Sequence, residues 1–399
     1  MHGDKLRNLV LDSRGYLSVL QPFLARPRET VPRLTAGETR RVMRWAAELL
    51  GLELIEVEGT APTYLLLPPP GTPPAITLLG AWHSESSPVA PAAVEGSERL
   101  ALAATLAALG AVGGTGAKGG GTDHPPVALV VVPATTHGSL VLRETLSNHR
   151  ARLRAPAAFW PRISALAPAR RRIFLGARGR AVLGLWGEAI DPYRIRDKVV
   201  AALKDEAYGP RPLDFELLRK LAQSGEALDF LEGTFDDPAA VEGEGEARFR
   251  NALFGPRALV LTPPVRHPDR PQAWLIFETA ENMDAADICT RVKSLAPGAR
   301  VDLAEALPWD RFNIHHPSVQ ALVPLAKSRS AGPEIWPMAP WTTPSGVFTR
   351  ALGVPLAEWG VPLPQVEAIR NPGPEIFEPV QLEIAELLLR ATGRFKPET

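Results

Sequence analysis

Cysteine is almost missing from this chain: Cys289 is the single one in 399 residues. That excludes an internal disulfide framework and any zinc site built from several thiolates. Net charge is missing too, since 44 basic side chains face 44 acidic ones. No global electrostatic argument therefore points to nucleic acid or to an anionic membrane. No apolar run approaches the ~20 residues of a membrane span, and the opening MHGDKLRNLVLDSRGY lacks an apolar signal stretch. The expectation is a cytoplasmic protein with no nucleic acid and no membrane among its partners. There is no GxSxG elbow, Walker loop or HExxH helix. The run Gly113–Gly121 lacks the strand-to-helix context of a phosphate loop and reads as surface loop.

What is present suffices for more than one core. The chain is 45% hydrophobic, and its length predicts two domains of ~150–250 residues. Lys5–Leu24 reads as an N-terminal helix, and Thr35–Glu38 as a capping box before a helix over Arg41–Leu50 with Gly51 as its stop. Ala75–Leu79 and Val127–Val132 are continuous apolar runs, the pattern of strands buried on both faces, with a small-residue helix at Arg99–Leu109 between them. That order predicts an α/β fold with a mainly parallel sheet sandwiched by helices. After Arg178 the texture changes to strand, helix, strand, strand, helix, strand, the order of a small inserted α+β domain. From Val319 the first texture returns and closes on a helix at Val380–Thr392. The predicted division is a core over 1–177 and 309–399, interrupted by an insertion over 178–308.

The chemistry-bearing residues gather where strands end. In open α/β sheets ligands bind outside the carboxyl ends of the strands. His83 and Glu85 follow the first buried strand at a spacing that puts both on one face of an extended segment. An imidazole can hold a metal there while a carboxylate orients it; ordinary polar residues of a strand-exit loop are the other reading. His137 follows the second strand and could join His83 with Glu85 or Glu98. His315 and His316, being adjacent, point opposite ways in extended chain, so one pocket-facing and one solvent-facing ring is expected. The arginines of Ala165–Phe174 read as a solvated turn.

The ordered set of segments resembles the zinc-dependent peptidase and amidohydrolase family of acetylornithine deacetylase, succinyl-diaminopimelate desuccinylase, aminoacylase and carnosinase-like dipeptidases. AWHSESSP looks like the family's His-x-Asp-x-x-Pro signature, and VALVVVPATTHGS falls where the family has Glu-Glu-x-Gly-Ser. GARGRAVLGLWG looks like the strand opening its lid, and LGVPLAEWGVP with RNPGPEIFEP like its closing strand and His-x-x-Asn-Glu loop. The resemblance implies a lid that also mediates dimerisation. It implies two zinc ions that share a carboxylate and a water, plus a glutamate that shuttles the proton.

Carried onto this sequence residue by residue, that machinery is depleted. His83 matches the first metal histidine and Glu85 replaces the aspartate that orients it. The bridging position falls on Ser97, with Glu98 as the possible substitute. The paired glutamates fall on Thr135, in place of the general base, and Thr136. The final histidine falls on Asn371, and no acidic residue lies between Asn148 and Arg180. The resemblance therefore implies a silent relative, with no metal or a single weakly held one, that binds a peptide-like or N-acyl amino acid ligand and pairs through its lid. Two alternatives stay open. One is an active amidohydrolase with a remodelled site using His83, His137 and a carboxylate. The other is a scaffold or partner subunit.

Overall fold

The computed structural model describes residues 3–24, 32–59, 62–82, 92–113, 126–133, 140–164, 170–187, 190–205, 211–235, 241–263, 270–281, 283–362 and 373–395. The chain opens with helices α1 (Gly3–Asp12), α2 (Gly15–Leu24) and α3 (Pro32–Leu50). The single helix expected over Lys5–Leu24 breaks at Ser13, whose hydroxyl donates to the Val10 carbonyl at 2.7 Å and accepts from Gln381 Nε2 at 2.7 Å. Helix α3 begins at Pro32, a residue favoured in a first turn, so the expected capping box lies inside the helix. Gly51, at φ 61°, ends it in the left-handed conformation.

Strands β1 (Glu53–Val57), β2 (Thr63–Leu67) and β3 (Ile76–Trp82) follow, then α4 (Ala92–Gly113), β4 (Val127–Pro133), α5 (Leu140–Asn148), α6 (Arg150–Leu153), β5 (Ala158–Ser164) and β6 (Arg171–Phe174). Next come β7 (Gly176–Trp186), α7 (Pro192–Asp205), α8 (Pro212–Ala222), α9 (Gly225–Thr234), α10 (Gly245–Phe254), β8 (Arg257–Leu261), β9 (Ala273–Thr279), α11 (Ala285–Leu295) and β10 (Arg300–Leu307). The course closes with β11 (Asp310–Arg311), α12 (Pro317–Arg329), β12 (Pro333–Trp336), β13 (Ala339–Thr342), α13 (Ser345–Leu352), β14 (Leu356–Pro362) and α14 (Pro374–Ala391).

The larger sheet has the order β1-β2-β4-β3-β5-β14. Strands β4, β3, β5 and β14 run parallel, while β1 and β2 form an antiparallel edge. Every residue of β3 and β4 is buried, because helices cover both faces. Leu78, Phe159 and Trp359 pack toward α2, α4, α12 and α14. Leu79, Trp160 and Leu356 pack toward α5 and α13. The fold is thus the mainly parallel, helix-sandwiched α/β core that the sequence predicts.

The second sheet, β10-β7-β9-β8, is antiparallel and carries α7 and α11 on one face. Its elements fall between β6 and β11 in the chain, so it is an inserted α+β layer. Helices α8, α9 and α10 pack around Trp336 and Met338 of the returning chain. Strand β7 belongs to both regions: Gly176–Arg178 pair with β11 and β13, and Gly179–Trp186 with β9 and β10.

Candidate functional site

At the carboxyl ends of the parallel strands the sheet opens into a cavity of about 330 Å³. This is the edge where ligands of such sheets bind. Strand alternation sends Trp160, Arg162 and Ser164 to one face of β5, and β14 sets Glu358 beside Trp160 and Gly360 beside Arg162. A Cβ on Gly360 would meet Ser164 Cβ at 3.4 Å, and the glycine leaves that stretch of the cavity lining open. The rest of the lining comes from β6 (Arg171, Arg172, Phe174), Phe230 of α9, Trp341 of β13 and Glu98 of α4.

The walls mix cations and aromatic rings. Arg162 lies over the Trp160 ring at 4.5 Å and donates from Nη1 to Glu358 Oε2 at 3.2 Å. Trp341 Nε1 donates to the same oxygen at 3.2 Å. Behind the cavity Arg171 bonds Glu383 at 2.8 Å, and Glu383 also accepts from Trp359 Nε1 at 2.9 Å. Desolvation pushes the Arg171 guanidinium down in pKa and the Glu383 carboxyl up. Arg172 stacks over Phe230 at 3.7 Å, and its two carboxylate neighbours, Glu226 and Glu334, stand off at 3.7 Å. Burial lowers its pKa as well.

Glu98 differs from the other carboxylates. It is 7% exposed, and its Oε2 has no hydrogen-bond partner among the described residues. Burial raises its pKa, with the charge of Arg162 pulling the other way. A buried carboxyl without an ion-pair partner holds its proton more tightly than one in water.

Of the residues singled out in the sequence, His83, Glu85, Thr135, Thr136, His137 and Asn371 lie outside the described residues. Glu98 stands in the cavity wall and Ser97 beside it on α4 is half-buried. His316 caps α12, its Nδ1 accepting from the Ser318 N–H at 3.2 Å, and burial lowers its pKa. His315 is exposed, and neither ring lines the cavity. The arginines expected in a solvated turn instead form β6, paired in parallel with β12. Only Arg170 is exposed, while Arg171 and Arg172 are buried against glutamates supplied by α14 and β12. Sequence reasoning missed them because those partners lie far along the chain. The alternating Arg171-Arg-Ile-Phe174 pattern was the available signal.

Among the described residues no cluster of three or more His, Cys, Asp or Glu side chains is arranged to hold a metal. The described carboxylates do not fit a shared two-zinc centre. Glu358 is taken by a guanidinium and an indole, and Glu98 lies in the field of Arg162.

No protein-family profile matches the sequence, and no curated protein does. Solved structures do match, over nearly the whole length. An M20 family metallo-carboxypeptidase from Sulfolobus solfataricus superposes with a TM-score of 0.66 at 15% identity, covering 94% of this chain and 99% of its own. The di-peptidase Dug1p from Saccharomyces cerevisiae gives 0.64 at 13% identity and 98% of each chain. Human carnosine dipeptidase 1 gives 0.63 at 14% identity, with 97% and 99% covered. This chain has the M20 metallopeptidase fold. Within that fold the cavity of Glu98 and Arg162 lies at the carboxyl edge of the core sheet, and β7 leads from the core into the inserted layer.

Proposed function

We propose that this chain is a non-hydrolytic relative of the M20 peptidases that binds a peptide-like or N-acyl amino acid ligand in the cavity at the sheet edge. The observation that carries this reading is Arg162. Its guanidinium is bonded to Glu358 and its charge acts on Glu98. A fixed cation among the described carboxylates opposes a pair of dications there, since like charges a few Å apart repel strongly in a low-dielectric site. The neutral residues at Ser97, Thr135, Thr136 and Asn371 point the same way. Zinc titrated into metal-free protein by calorimetry tests the reading: no two-site uptake, and no hydrolysis of dipeptides or N-acyl amino acids afterwards, is expected. Uptake with turnover overturns it.

A second reading, an amidohydrolase remodelled around His83, draws support from Glu98, because a buried carboxyl with a raised pKa in a cavity is the kind of group used for proton transfer. On that reading His83→Ala abolishes turnover of an amide substrate; on the first there is no turnover to abolish.

The partner we propose is a second copy, docked through the inserted layer. Strand β8 is one of its two edge strands and exposes Leu259 and Leu261, 52% and 37% accessible. Outer strands with apolar side chains are templates for pairing.

A further inference from the structure

The chain enters the inserted layer through β7 and leaves it through β10, and neither crossing is built as a hinge. Hinges are short stretches in loops or at element ends, where backbone angles can change. Every residue of β7 from Gly176 to Trp186 has a ladder partner, first in β11 and β13 and then in β9 and β10. A Cβ on Gly176 would fall 2.3 Å from the Asp310 carbonyl oxygen, so backbone lies directly on backbone there. At the exit, a Cβ on Gly346 of α13 would come 2.1 Å from the Pro308 carbonyl oxygen.

Helices α8, α9 and α10 add a second attachment. By sequence they belong to the insertion, yet they seat on β6 and β12, which rest on the core. Side-chain alternation makes that ladder two-sided. Ile173 and Ile335 join the core cluster, while Phe174 and Trp336 face the helices. Trp336 has no exposed surface and lies 5.4 Å from the Phe230 ring and 5.6 Å from that of Phe249. Asp214 of α8 pairs with Arg311 of β11, with 2% and 4% of their side chains exposed. Arg257, at the start of β8, donates from Nη2 to the Pro340 carbonyl at 2.7 Å. Parting this seam would bare a tryptophan and separate a buried ion pair, and both are costly.

We propose that α8, α9 and α10 form a clasp, locked by Asp214–Arg311 and Trp336, that holds the inserted layer in one orientation on the core. The layer then does not swing. Phe230, which the clasp contributes to the sheet-edge cavity, stays at one distance from the core strands. The seam carries this by itself, whatever the cavity binds and whether or not the chain hydrolyses anything.

Spin labels on Arg41→Cys of α3 and Lys198→Cys of α7, both exposed positions, report the core-to-layer distance by double electron–electron resonance in a Cys289→Ala background. A single narrow distance is expected; a broad distribution or two populations overturns the proposal. A second measurement probes the seam itself, where Met338 has no exposed surface. In the same background, the thiol of Met338→Cys should react with a disulfide reagent at least about a hundredfold more slowly than that of Lys198→Cys, because it is reached only when the clasp opens. A smaller difference overturns the clasp. Adding Asp214→Asn should speed the seam thiol by about tenfold or more, the loss of a charge-assisted bond. An unchanged rate overturns the lock. The distance and the protection of Met338→Cys decide the point even if Asp214→Asn folds poorly.

Discussion

Arg178 shows how much one buried side chain organises here. It has no exposed surface, and its guanidinium donates to the carbonyls of Leu253 at 2.7 Å, Gly255 at 2.6 Å and Glu278 at 3.2 Å. Burial pushes its pKa down to about 9, helped by Arg257 and opposed by Glu278. The charge therefore persists at neutral pH and ties the end of α10 to β9. Arg178→Met leaves those carbonyls without their donor, while Glu278 keeps Arg257 at 2.9 Å, and should cost ~1–3 kcal/mol or more, the loss for buried acceptors left unsatisfied, read from urea unfolding. Glu98 makes the opposite case. Its folded pKa is raised, so the folded chain holds a proton that the unfolded chain releases, and stability from this group is lost as pH rises through the folded value. Glu98→Gln should therefore raise the melting temperature at pH 8, with the gain shrinking toward pH 4. A gain that grows on acidification would contradict the burial argument. Neither residue is marked by its neighbours in sequence, because burial and partners come from distant elements.

The elements divide into those a local pattern reveals and those it conceals. Strands β3 and β4 are legible because their apolar runs leave no other reading, and the strand-helix-strand-strand-helix-strand order of the inserted layer is legible from its alternation. Strand β5 is concealed by Pro161, which normally argues against a central strand. The structure tolerates it because pairing with β3 ends at Phe159, so the missing N–H removes no bond on that side. Strand β6 is concealed by its arginines, whose counter-charges, Glu383 and Glu334, are more than a hundred residues away in sequence. At the crossing of β7 from core to inserted layer, a Cβ on Gly179 would collide with the Leu307 carbonyl and the Thr279 hydroxyl. Gly179→Ala should destabilise by ~1–3 kcal/mol or more, as overpacking does. Gly225→Ala, where a Cβ meets nothing within 4 Å at the start of α9, should be neutral or stabilising by ~0.4–1 kcal/mol. Comparing the two in one denaturation series checks that the crossing, and not glycine loss in general, is the sensitive point.

At the scale of the whole molecule, the chain has the fold of M20 peptidases over nearly its full length, and the proposal concerns what its sheet edge does. The proposal rests on the neutral residues that the resemblance sets at Thr135, Thr136 and Asn371, all outside the described residues; the fold adds Arg162 bonded to Glu358 at the sheet edge. The cavity's cationic and aromatic character was not legible, since it is assembled from β5, β6, α9 and β13. The association proposed through the inserted layer belongs to the same scale. If β8 forms the contact, Leu259→Asp with Leu261→Asp should convert a dimer to a monomer in sedimentation velocity without loss of helicity, and a natural protein that already sediments as a monomer would refute it. The most direct measurement of all is the zinc content, by elemental mass spectrometry, of untagged protein purified without chelator. Well under one zinc per chain is expected; two per chain, removed by chelation and restored with amide hydrolysis, would contradict the proposed non-hydrolytic role.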